Sequence, residues 1–121
     1  AAAAAKLGLP AARKIAAADF AIQQVSIAPG GATGWHSHPG PALVLVKSGE
    51  ITLYEGDDAS CRGTTYKGGQ SFVDEGFGNV HIGRNEGAAN LELYVVYLVP
   101  GPAGQAPRID AAKPGASGCS F

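Results

Sequence analysis

The chain has 121 residues, enough to build one hydrophobic core but not two. A net charge of −1 and a pI near 6.3 argue against a nucleic-acid partner, and no apolar run reaches the length of a membrane-spanning helix. Eighteen glycines and eight prolines, set among 45% apolar residues, predict short strands and many turns rather than disorder.

Residues 1–19 are alanine-rich. Alanine favours helix, but Gly8, Pro10 and the lack of an apolar stripe leave a short helical turn and an edge strand equally open. The opening Ala1 to Ala5 reads as the small-residue end of a cleaved secretory leader, and the sequence holds no methionine. Residues 20–28 alternate around Gln24 and Ser26 and predict a strand, ended by Pro29-Gly30-Gly31. Thr33 to His38 predicts the next strand, broken by Pro39-Gly40-Pro41. In a strand, His36 and His38 share a face with their backbones about 7 Å apart. Trp35 then faces the other way and reads as interface or core rather than as a sugar platform.

Residues 42–47 are apolar on both faces and predict a strand buried on both. Ser48-Gly49-Glu50 turns the chain into a strand over 51–54. A polar loop carries Cys61, followed by short strands over 64–66 and 71–73. Asp74 to Asn79 is a glycine-rich turn that delivers Val80-His81-Ile82. Residues 91–99 predict the longest strand, again apolar on both faces except at Glu92. The remainder to Phe121 is a Pro/Gly/Ala-rich tail expected to lie extended on the surface.

Short strands every 8–12 residues, with no helix-length segment between them, predict an all-β sandwich or barrel. Residues 1–121 are expected to form a single domain: an arm over 1–19, a barrel over 20–99 and a tail over 100–121. Two strands apolar on both faces need cover on the outside, and a second copy of the chain is the economical source, so a homodimer is expected. Cys61 and Cys119 sit in polar Gly/Ser-rich sequence and fit no zinc pattern. They read as a disulfide that ties the tail down, with two buried thiols as the alternative. A bridge of this kind contributes roughly 2–4 kcal/mol and implies a secreted or periplasmic protein.

His36, His38 and His81 are the only histidines in the chain. The stretch from Gly30 through His36-Ser37-His38 to Gly49 resembles the first motif of the cupin family, a glycine, five residues and His-x-His, then a glutamate and a later glycine. The stretch Gly76-Phe77-Gly78-Asn79-Val80-His81-Ile82-Gly83-Arg84-Asn85 resembles the family's second motif, with Gly76 in place of proline. The two motifs and the strands between them cover most of residues 30–99. The resemblance implies a jelly-roll barrel and a metal held by His36, His38 and His81. It also exposes a departure, because Ala42 stands where the family's metal-binding glutamate is usual.

Three neutral imidazoles without a carboxylate suit copper, iron, zinc or nickel and do little for magnesium or calcium. Copper leads the affinity series and is met outside cytosolic control. Gln70 could bring an amide near the ion, and Phe72 and Phe77 could wall its pocket; turn and core are the plainer roles for each. Tyr54, Tyr66, Tyr94 and Tyr97 could stack on a flat polysaccharide. The combination resembles the small secreted cupins that cleave cellulose oxidatively with copper. That resemblance implies His36, His38 and His81 acting catalytically through copper with O2 or H2O2. The alternatives are a three-histidine iron dioxygenase, for which Arg62 and Arg84 are the only arginines near the motifs, a non-catalytic sugar- or metal-binding module, and a zinc or nickel lyase or isomerase.

Overall fold

The computed structural model describes residues 18–121, so the expected arm lies outside the described residues except for its last two positions. Nine strands follow in chain order: β1 (Ala18–Ile27), β2 (His36–Ser37), β3 (Ala42–Ser48), β4 (Glu50–Glu55), β5 (Thr64–Lys67), β6 (Ser71–Asp74), β7 (His81–Arg84), β8 (Leu91–Pro100) and β9 (Ile109–Asp110). No helix occurs among the described residues. One sheet runs β1-β8-β3-β6 and the other β5-β4-β7-β2-β9. Every pairing is antiparallel. Strands adjacent in sequence fall in different sheets at most steps, which is the jelly-roll form of the two-sheet sandwich.

Alternation decides the core. From β3 come Ala42, Val44 and Val46, and from β8 Leu91, Leu93, Val95, Tyr97 and Val99; all point inward and are buried with Ile27 and Ile51. The intervening residues do not, so the expectation of burial on both faces does not hold within one chain. Leu43, Leu45 and Tyr94 are exposed on the outer face, beside Phe20 and Ile22 of β1. The register explains why these residues cluster: Ile22 and Leu43 both pair with Val96, and Leu45 pairs with Tyr94.

The 48–50 turn forms as expected and needs its glycine. Gly49 has φ +78°, and a Cβ there would lie 2.5 Å from the Asn90 carbonyl oxygen. The strand expected over 33–38 shrinks to His36 and Ser37, with an isolated bridge at Ala32. The tail also differs from expectation. Residues 109–110 add β9 to the edge of the five-stranded sheet, with Asp110 opposite His36 and Ile109 opposite Ser37. Cys61 and Cys119 are disulfide-bonded. Around that bridge the Gly118 amide donates to the Asp58 carbonyl and Trp35 Nε1 donates to the Phe121 carbonyl. Trp35 is therefore half-buried against the tail.

Candidate metal centre

The two histidine-bearing stretches meet because β2 and β7 pair with His36 directly opposite His81. His38 follows two residues on, so its side chain returns to the same face. The ring centroids are 4.8 Å apart for His36 and His38, 4.4 Å for His36 and His81, and 5.3 Å for His38 and His81. One ligand nitrogen from each ring lies within 4.8 Å of the others. All three residues are about 5% exposed.

The backbone orients two of the rings. Nδ1 of His36 donates to the Gly34 carbonyl at 2.8 Å, and Nδ1 of His38 donates to the Pro107 carbonyl at 2.8 Å. A carbonyl can only accept, so both protons sit on Nδ1 in the neutral rings and Nε2 is left as a lone pair. The tail thus supplies a support for His38 as well as a strand beside His36. Thr33 ties the approach to β2 onto β7, since its amide donates to the Gly83 carbonyl and its hydroxyl accepts from the Gly83 amide.

His81 is held differently. Its Nε2 lies 2.8 Å from Oδ2 of Asp74, and among the described residues its buried Nδ1 has no partner in good hydrogen-bond geometry, only the Asn79 backbone nearby. The same Oδ2 lies 3.5 Å from Nε2 of His38. Oδ1 of Asp74 accepts from the Gly76 amide at 2.9 Å, so the carboxylate shapes its own turn while facing the rings. Gly76 must be glycine: its φ is +71° and a Cβ would fall 1.9 Å from the Gly40 carbonyl oxygen. Asp74 was not expected. Its place in a glycine-rich polar run predicts a turn residue, and the histidine motifs alone give a site without a carboxylate. Its register position opposite Ala42 is what brings it to the rings.

Burial and charge set the protonation pattern. Desolvation, and after it the neighbouring rings and Arg108, push His36 down to about 4 against a stabilising bond to Gly34. Burial also lowers His38, in spite of Pro107 and Asp74. Burial opposes charge on His81 too, but the hydrogen bond and charge of Asp74 outweigh it and raise the ring. Asp74 is lowered: burial acts to raise it, and the His81 hydrogen bond and charge overcome that effect.

The rings border a cavity of about 300 Å³ walled by apolar residues such as Val25, Val44, Leu93 and Val95. Phe72 lines it and packs against the core, with its ring stacked on Tyr66. Gln70 does not reach it. That residue is exposed in the β5–β6 turn, where Oε1 accepts from the Lys67 amide at 2.7 Å. Phe77 is not among the lining residues either; it sits at φ +56° between Gly76 and Gly78 in the turn before β7. Tyr97 does line the cavity, 5.3 Å from the His38 ring, and its hydroxyl donates to Gln23. Tyr94 lies on the outer face of the other sheet and Tyr54 packs on Phe121, so the four tyrosines form no common stacking surface. Arg84 lies over Phe121 and Arg62 is exposed. Among the described residues, the arginine that reaches the cavity is Arg108, from the tail, which bonds the Thr33 carbonyl and Asp110.

A model of the cupin domain matches residues 23–97. The chain belongs to the cupin family. Among curated proteins, none matches this sequence. Among solved structures, this cupin is similar to an uncharacterised conserved protein with a double-stranded β-helix domain from Klebsiella pneumoniae, at 26% identity and TM-score 0.62, with 84% of each chain covered. It also resembles the polyketide cyclase RemF from Streptomyces resistomycificus, at 20% identity and TM-score 0.61, covering 80% of this chain and 63% of the cyclase. An oxalate oxidase matches at 21% identity and TM-score 0.61, over 76% of this chain and 46% of that one. The last two likenesses speak for the fold alone.

The donor set fits a metal ion. Two rings keep their protons on Nδ1 against carbonyls and leave Nε2 free, a third imidazole joins them, and all three are buried. Burying lone pairs side by side with no donor between them is costly, and a cation removes that cost.

Proposed function

We propose that this cupin is a metal-dependent oxidoreductase built on His36, His38 and His81, with copper as its ion and a polysaccharide as the substrate to test first. The observation that carries the reading is the convergence of three buried imidazoles, two of them with Nδ1 tied to a carbonyl. Bound copper would supply the change of oxidation state. The protein holds the rings, keeps bulk water away with the apolar wall and keeps a phenol beside His38. Burial raises the Tyr97 phenol above its ordinary range, so it keeps its proton and donates it to Gln23. The disulfide supports an oxidising compartment, and we read the protein as secreted or periplasmic. The exposed apolar face of β1, β8 and β3 supports a homodimer, which sedimentation at micromolar concentration tests directly.

The test is to load the purified protein with copper and incubate it with cellulose, ascorbate and O2 or H2O2. Oxidised oligosaccharides that vanish in His38→Ala are expected. Their absence under both oxidants sinks the polysaccharide assignment. A second reading, iron-dependent oxygenation of a small acid, is favoured by one observation: Arg108 places a guanidinium on the cavity wall within a space sized for a small molecule. Turnover of small carboxylates that is lost in Arg108→Gln would select it.

A further inference from the structure

We infer that Asp74 is the fourth protein ligand of the metal centre, so that the site is three imidazoles and one carboxylate, with the carboxylate delivered by β6 of the opposite sheet. This rests on the metal reading above and adds to it a residue from outside both histidine stretches.

Three observations carry it. The first is distance. Ligand bonds of ~2.0–2.2 Å at angles between a right angle and tetrahedral put neighbouring donor atoms roughly 2.8–3.6 Å apart. Oδ2 of Asp74 lies 2.8 Å from Nε2 of His81 and 3.5 Å from Nε2 of His38, inside that range for both. The second is proton accounting. His38 carries its proton on Nδ1, where it donates to the Pro107 carbonyl, so in the neutral ring a bare Nε2 lone pair faces a carboxylate oxygen. Two lone pairs at that separation repel unless a cation lies between them. The third is orientation. Oδ1 is already bonded to the Gly76 amide, which turns Oδ2 toward the rings and fixes it there. The Asp74 side chain is only 9% exposed, so little water compensates its charge.

The register shows how β6 comes to provide the group. Asp74 pairs with Ala42, and cross-strand partners share a face. Ala42 is buried and offers only a methyl, which leaves room beside it for a carboxylate from the next strand. A second recess, lined by Glu55, Asp57 and Glu75, also reaches Asp74 and His81, giving a cation an acidic approach. An oxygen donor also brings manganese within the range of ions the site accepts.

Zinc is the probe, because it is redox-silent. Metal-free wild type and Asp74→Asn are titrated with Zn(II) by calorimetry, and zinc-soaked crystals of the wild type give the anomalous peak. Asparagine keeps an oxygen for the Gly76 amide, so the turn survives, and a circular dichroism melt verifies it. The expected result is one zinc per chain, at least tenfold weaker binding in Asp74→Asn, and a peak bonded by His36, His38, His81 and Oδ2 of Asp74. A peak bonded by the three rings with Asp74 turned away overturns the inference, as does equal affinity in the two proteins. Absence of both heat and peak in the wild type overturns the metal reading itself and is a separate outcome.

Discussion

His36 and His38 are held by backbone, whereas His81 is held by a carboxylate. The first pair donate Nδ1 hydrogen bonds to the Gly34 and Pro107 carbonyls, while His81 directs Nε2 at Asp74. One side of the centre is therefore fixed by neutral hydrogen bonds that outlast changes of charge. The other depends on an ion pair that a metal ion must rearrange. The difference teaches that the tail is part of the site, since Pro107 lies in it and β9 lies against His36.

Removing a ring should have the largest effect. His38→Ala is expected to abolish metal loading, read by elemental analysis, while the barrel still folds on its apolar core and disulfide. A variant that melts near room temperature would show that the ring is needed for folding. Next comes the support on the backbone side. Cys61→Ser releases the tail across a separation of 58 residues and should cost ~2–4 kcal/mol in denaturant unfolding. If the comparison holds, metal affinity falls as well, and the His36 and His38 ring signals shift more than those of His81. Equal shifts in all three would break the contrast.

Acid should separate the two sides in the metal-free protein. His36 takes its proton near 4 when folded and near 6.5 when unfolded, so the unfolded chain protonates first and stability falls as pH drops through that window. His38, also lowered, loses stability in the same direction. Asp74 is lowered as well, and its contribution, present above its unfolded value, is lost as pH falls through its folded one. His81 is raised, so it stabilises below its unfolded value and that gain disappears as pH climbs through the folded one. Ring signals followed by NMR should therefore titrate below 6.5 for His36 and His38 and above it for His81. A common midpoint would contradict the assigned environments. The smallest effect is expected at Gln70. Gln70→Ala loses one bond within an exposed turn and should leave metal affinity unchanged within twofold, by the same calorimetry.

Much of this was legible from the residues, for reasons that can be named. Alternation and turn chemistry placed the strands, and the i, i+2 spacing put His36 and His38 on one face. Asn85, the last residue of the second motif, was legible as a motif member but not as what it is. It is 1% exposed and far from reacting groups in role: its amide bonds the Ile27 and Ala89 carbonyls and its oxygen accepts from Gly87. Truncating it would strand those buried groups at about 1–3 kcal/mol each. Asp74 and Arg108 were not legible, because what brings them to the cavity is pairing across sheets and the return of the tail. A run such as Val73-Asp74-Glu75-Gly76 reads as a polar turn until its register against β3 is known. Gln70 keeps the plainer turn role, since proximity in sequence to β6 says nothing about which way a turn residue points.

The central claim is one metal ion on three imidazoles. Cu(II) added to the metal-free protein and followed by electron spin resonance tests it most directly. The account predicts a single bound species at one copper per chain, with hyperfine splitting from three ring nitrogens, and its disappearance in His38→Ala. A spectrum of hydrated copper in the wild type, or a bound signal indifferent to that substitution, would contradict it.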